Sequence, residues 1–333
     1  MINVYKPEGM LSSNIQNREL TSNRAGLEKA MAMGAILEGT VVLCDSDMNL
    51  HVDLHGITGI IPRSEVVYSK NGEDVKDIAI ITRVGKPVCF KVMGIAEQDG
   101  KTVALLSRRE AQIECLRNYI SDLIPGDIIQ AKVTHLENFG AFVDIGCGIV
   151  SLLTVDCISV SRISHPKDRL FCGMQLYTVV KNIDESNGRI FVSMRELLGT
   201  WEENANLYSP GQTVAGIIRS IESYGVFVEL MPNLAGLAEL RDDFRLSDQS
   251  PLTSSSGKKS AFCDENLIGR FAAVYIKSII PERMKIKLVL IDSYKGEHAQ
   301  SKLKYFIDCE NVTHIDSWQY SPEYSGKKIE TVF

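Results

Sequence analysis

Between Ala141 and Ile145 the chain alternates: Ala141, Val143 and Ile145 fall on one side of a two-residue period, and Phe142 and Asp144 on the other. A strand is predicted, with the aliphatic set in a core and Phe142 on the polar face beside a carboxylate. A phenylalanine there contributes nothing to the core and asks for a partner. Phe139, three residues earlier, belongs to the opposite face of a regular strand, and a bend or bulge at Gly140 would bring it round beside Phe142. Either the two rings form an exposed flat surface, or one or both plug a gap under a loop.

The same pattern recurs along the chain. Gly34, Gly126 and Gly211 each open an alternating run, followed by Gly39-Thr-Val, Ala131-Lys-Val and Gly216-Ile-Ile. A second set of strands follows Gly85, Gly173 and Gly269, and each unit closes on a further alternating run: Thr102 to Ser107, Arg189 to Ser193 and Lys285 to Ile291. Repeats of this size, with about five short strands apiece, predict an all-β protein of tandem five-stranded closed barrels joined by short linker helices.

The predicted order is a flexible leader (1–33) ending in a short helix near Ala25 to Met33, a first barrel (34–108) and a linker helix (109–124). A second barrel (125–196), a second linker helix (197–209) anchored by Trp201, and a third barrel (210–292) follow. The third barrel carries a disordered Ser/Lys-rich insertion at 248–260, and a strand-containing tail (293–333) follows it. Trp318, Tyr320 and Tyr324 in the tail either pack on the third barrel or make a second stacking surface.

The aromatic pair separates the units. The third keeps it as Tyr224 and Phe227, with Glu229 on the face of the outward ring; the first has Met48 and His51 instead. The first unit therefore reads as a protein-docking or purely architectural barrel. Exposed rings near scattered basic residues suit the stacking of unpaired bases, worth roughly 1 to 3 kcal/mol per base.

Composition narrows this reading. A net charge of −6 disfavours a duplex binder held by phosphates, but the acidic excess is concentrated in residues 197–250, with 3 basic against 8 acidic groups. The eight scattered cysteines, with no CxxC pair, read as reduced thiols. The apolar runs are too short to span a bilayer, and MINVYKPEGM lacks the basic start and apolar core of a signal peptide, so cytoplasm is the expected compartment. His51, Asp53 and His55 resemble metal ligands only superficially, because His55 falls at a turn beside Gly56. No nucleophile elbow or phosphate-binding loop occurs, and the carboxylates read as outward or turn positions; no metal, cofactor, small-molecule substrate or catalytic set is expected.

The stretch GDIIQAKVTHLENFGAFVDIG, the Gly173 strand and Asp184…Gly188-Arg189-Ile190-Phe-Val-Ser193 together resemble the RNA-binding motif of the ribosomal protein S-one family, a five-stranded OB-fold barrel. The resemblance covers three copies, roughly 34–108, 125–196 and 210–292, the first degenerate. Their order and linkers look like the short S-one-like proteins of Gram-positive bacteria. The resemblance implies that RNA lies across Phe139 and Phe142 with Asp184 and Arg189 nearby, and across Tyr224 and Phe227 with Lys285. Arg189 is either a phosphate or base contact or an ion-pair partner of Asp184. The family's histidine does not carry over: counting from Gly148 and Gly236, Ser151 and Glu239 stand in its place. Two functions are then expected: binding of mRNA for translation initiation at the small ribosomal subunit, or an adaptor in RNA decay or transcription whose first barrel docks a protein.

Overall fold

A computed structural model describes residues 5–69, 75–98, 100–184, 186, 188–239, 267–294 and 303–333. The expected insertion at 248–260 lies outside the described residues. Among them are three closed five-stranded barrels of one topology. The first comprises β1 (Ile36–Cys44), β2 (Leu50–Leu54), β3 (Ile57–Ile61), β4 (Pro87–Gln98) and β5 (Lys101–Ser107), in spatial order 1-2-3-5-4. The second comprises β6 (Ile128–Glu137), β7 (Gly140–Asp144), β8 (Val150–Thr154), β9 (Gln175–Asp184) and β10 (Arg189–Ser193); the third comprises β11 (Thr213–Glu222), β12 (Gly225–Met231), β13 (Leu234–Glu239), β14 (Phe271–Ile280) and β15 (Lys285–Tyr294). The third strand of each barrel pairs in parallel with the fifth, which closes the sheet. Alternate positions fill the interiors: Val41, Val52 and Phe90 in the first, Val133, Ala141 and Val143 in the second, Ile218, Val228 and Val274 in the third.

From residue 5 onward the leader is folded, contrary to the expectation of a flexible segment. It forms α1 (Ile15–Thr21), capped by Asn14, and α2 (Arg24–Met33), capped by Asn23 and ended at Gly34 in the left-handed conformation. Residues 5–9 run between the first two barrels. There the buried Glu8 carboxylate accepts from Arg108 Nε at 2.6 Å and Nη2 at 3.1 Å, and from the backbone N–H of Cys89 at 3.1 Å. The Glu8 backbone reaches the other way: its N–H donates to Asp144 at 2.7 Å, and its carbonyl accepts from Lys132 at 2.8 Å. Arg108 opens the linker helix Arg108–Asn118, so one residue, Glu8, joins the leader, both barrels and that helix through its carboxylate and its backbone. A buried pair of this kind gives little net stability when whole, but an orphaned partner costs about 3–5 kcal/mol.

The second linker is shorter than the single helix expected over 197–209. A 3-10 turn at Arg195–Leu198 and a five-residue helix, Trp201–Ala205, are separated by Gly199 at φ 83°. Trp201 is the buried anchor. The tail straddles two barrels. Tyr305, Ile307 and Ile315 pack by Ile128 and Val179 of the second barrel, whereas Trp318 and Tyr320 enter the core of the third. The short strands β16 (Ser317–Gln319) and β17 (Glu330–Val332) pair with each other. Tyr324 is exposed and donates to Glu202. No helix among the described residues is long and apolar enough to cross a membrane.

Burial, and then the charge of Glu8, raise the Asp144 carboxyl to about 7, against about 3.9 in an unfolded chain. With the folded value raised, the neutral acid is favoured in the native state. Its contribution is complete below about pH 4 and is lost as pH rises through about 7. The stability of Asp144→Asn relative to wild type, measured by urea unfolding, is expected to grow in the variant's favour by on the order of a few kcal/mol between pH 4 and 7.

Candidate nucleic-acid interface

The first strand of each barrel has a bulge at the same place: between Val133 and His135 in β6, Val41 and Leu43 in β1, and Ile218 and Ser220 in β11. The extra residue reverses the alternation beyond it. In the second barrel Val133 faces in and His135, after the bulge, faces out opposite Phe142. The two rings stack, with centroids 6.4 Å apart and planes at 23°. His135 is hidden in the sequence because a strict two-residue period places it inward with Ala131 and Val133; Thr134, the extra residue of the bulge, turns it outward.

Phe139 joins this face, but through the β6–β7 hairpin turn, not through a bend in the strand at Gly140. It is 55% exposed, and its ring meets Phe142 edge-on at 6.0 Å and 89°. Tyr224 and Phe227 repeat the arrangement at 6.2 Å and 89°, with Tyr224 62% exposed. The rings are therefore side by side in both barrels, and neither exposed ring plugs a gap.

The register extends the row across each barrel. In the second, His135, Phe142, Leu152, Phe191 and Asn182 are successive partners; Phe191, partly exposed and roughly 10 Å from Phe142 at two strand spacings, is a third outward ring that the sequence reading passed over. Arg189 lies two residues from Phe191 on the same face, opposite Asp184 in register, and Asp184 accepts from the Ser186 backbone at 3.1 Å. In the third barrel the row is Ser220, Phe227, Leu237 and Lys287, and Lys285 takes the place of Arg189. In the first it is Leu43, His51, Ile60 and Leu105, with Leu43 and Leu105 about half exposed. His51 bonds Asp45 at 3.1 Å, and His55 is in the left-handed region at a turn, 3.2 Å from Thr21.

Two expectations are corrected. Ser151 and Glu239 are not equivalent: Ser151 is opposite Val143, is buried and donates to the Ile190 carbonyl at 2.7 Å, whereas the partner of Glu239 in the register shared by both barrels is Thr154, opposite Gly140. Only one of the two can therefore stand at the histidine's place, and the second-barrel equivalent of Glu239 is Thr154. Asp144 and Glu229 point out of their barrels but are not solvated, because other elements cover them. Asp144 accepts from Glu8, Gly146 and Gly148 N–H groups. Glu229 is held by Arg169 at 3.0 and 2.9 Å and by Arg219 at 2.8 and 3.2 Å. Burial alone would raise the Glu229 carboxyl, but the charges of Arg169 and then Arg219 keep it below its ordinary value. Among the described residues no group of three or more His, Cys, Asp or Glu is arranged to hold a metal ion.

Gly140 fixes where the hairpin lies. A Cβ there would stand 2.5 Å from the Leu153 carbonyl oxygen and 2.9 Å from the Thr154 Cα, both backbone atoms. Gly140→Ala is expected to cost about 1–3 kcal/mol in urea unfolding, since β8 must move for it to fit.

Residues 31–106 and 122–195 match the model of the S1 RNA binding domain. The third barrel lies outside those segments while sharing their topology. The chain is 29% identical over 241 residues to small ribosomal subunit protein bS1 of Rhizobium meliloti (strain 1021), covering 71% of this chain and 40% of the relative. It is 31% identical over 195 residues to the small ribosomal subunit protein bS1 homolog of Bacillus subtilis (strain 168), covering 57% and 49%. The chain thus spans less than half the length of either relative. A solved multidomain protein with nucleic acid binding domains from Streptococcus pneumoniae is similar at 15% identity and a TM-score of 0.22, over 78% of this chain and 73% of that one.

Proposed function

From a chain that carries S1 RNA-binding domains and is homologous at modest identity to ribosomal protein bS1, we propose a protein that binds single-stranded RNA, mRNA in particular, and acts in translation initiation at the small ribosomal subunit. One observation carries this reading: the same edge-on ring pair, one ring exposed and the other partly so, stands at the same place in two successive barrels. Phe139 and Phe142, with Asp184 and Arg189, are the RNA contacts of the second barrel, and Tyr224, Phe227 and Lys285 those of the third. Stacking supplies most of the affinity, and Arg189 adds a planar cation that serves phosphate or base.

In this role the protein works in the cytoplasm as a binding protein without a catalytic step. We read its three-barrel order as that of the short S-one-like proteins of Gram-positive bacteria, though relatives from Rhizobium meliloti and Bacillus subtilis match at nearly the same identity. A second reading, an adaptor in RNA decay or transcription, draws on the aliphatic row Leu43, Ile60 and Leu105, which suits a protein surface better than a base. Co-sedimentation with small ribosomal subunits separates them, because only the translational reading expects it.

Fluorescence anisotropy with a labelled single-stranded RNA and its duplex tests the binding surface. Wild type is expected to prefer the single strand, and Phe139→Ala/Phe142→Ala to lose on the order of 2 to 5 kcal/mol; equal binding by the variant would reassign the rings to docking. The second barrel is close to charge balance, so the log–log salt dependence is expected to be shallow, and a slope matching many released counterions would contradict stacking as the main term.

A further inference from the structure

A cleft of about 510 Å³ lies between the second and third barrels. Six charged side chains line it: Lys167, Asp168, Arg169, Arg219, Glu229 and Lys304. Glu229 takes both guanidiniums, and Asp168, 3.9 Å from Arg219, accepts from the N–H groups of Ser164 and His165. Lys167 and Lys304 are exposed at the rim and form no ion pair among the described residues; the Lys304 ammonium stands 4.9 Å from the Phe306 ring centre. The cleft thus has two spare positive charges, with Phe171 and Phe271 also among its lining.

Its position relates it to both ring pairs. Leu136 on one wall is the neighbour of His135, which stacks on Phe142. Glu229 on the other wall is two residues along β12 from Phe227, about 7 Å in an extended strand. The first junction shows what such a place accommodates. There Asp144, the register equivalent of Glu229, is covered by residues 5–9 of the chain itself, whose backbone N–H it accepts. At the second junction the loop over 166–172 stands beside the carboxylate and leaves the cleft open.

We propose that this cleft binds the sugar–phosphate backbone of one RNA strand running continuously from the ring pair of the second barrel to that of the third, with Lys167 and Lys304 contacting its phosphates and Arg169 and Arg219 fixing the wall between them. The proposal rests on the RNA-binding reading above. It makes the two barrels a single site, and not two independent ones on a tether.

The test uses the full chain and labelled uridine oligomers of about 5 and about 15 nucleotides, lengths chosen from the span of single barrels. Lys167→Glu/Lys304→Glu, both exposed, is compared with Lys29→Glu/Lys101→Glu, an equal charge change on exposed residues of α2 and the first barrel. The cleft variant is expected to bind the long oligomer about tenfold more weakly, with a salt slope smaller by about 1 to 2, and the short one as wild type does. Unchanged affinity for the long oligomer overturns the proposal, as does an equal loss in the control variant or for both lengths, since either loss would mark a long-range charge effect. A wild type that binds neither oligomer defeats the RNA reading itself, and the cleft proposal with it.

Discussion

A sheet of five strands closed on itself has to fill its interior with its own side chains, and every other position of each strand is committed to that task. The outward positions are what remain free for recognition. In each barrel a bulge in the first strand decides which residue beyond it belongs to the outward set, and the register carries that choice around the sheet. The rows in the three barrels are therefore comparable residue by residue. The cores are nearly interchangeable in chemistry, while the rows change from rings to aliphatic side chains.

Placing one barrel against the next uses buried ion pairs beside shared apolar contacts such as Ile36, Cys89 and Cys115 against the second barrel. At the first junction a carboxylate from the leader meets an arginine at the start of the linker helix, and at the second Glu229 meets two arginines. Paired ions of this kind demand particular geometry, which suits a contact whose purpose is orientation. Both junctions use the outward carboxylate position next to the ring pair, so the elements that orient the barrels also bound the recognition surface.

The barrels were legible because glycines and alternating runs repeat at nearly constant spacing, and Phe142 and Phe227 because they stand at polar positions of regular strands. What was not legible depended on irregularity or on distant chain. His135 is hidden by the bulge. The leader lacks apolar periodicity because it is held by polar groups, Glu8 to Arg108 and Asn17 to the Glu38 backbone, as much as by Leu20 and Leu27. Asp144 and Glu229 looked solvated because nothing local shows that residues 5–9 or Arg169 will cover them. Thr154 was missed by counting from glycines instead of from strand partners.

The tail bears on the order in which the chain matures during synthesis. The first two barrels are tied by residue 8, which is made before either of them. The second and third are tied by residues 305–333: the Tyr305 hydroxyl accepts from the Tyr177 backbone at 3.0 Å, Ile128 N–H donates to the Thr313 carbonyl at 2.8 Å, and the Tyr320 hydroxyl donates to the Asn233 carbonyl at 2.6 Å. Domains emerge and fold from the N-terminal side. A nascent chain would therefore have its first pair of barrels fastened before the third is made, and the tail, which follows all three barrels, adds its fastening to the Arg169–Glu229 pair that already spans the second and third.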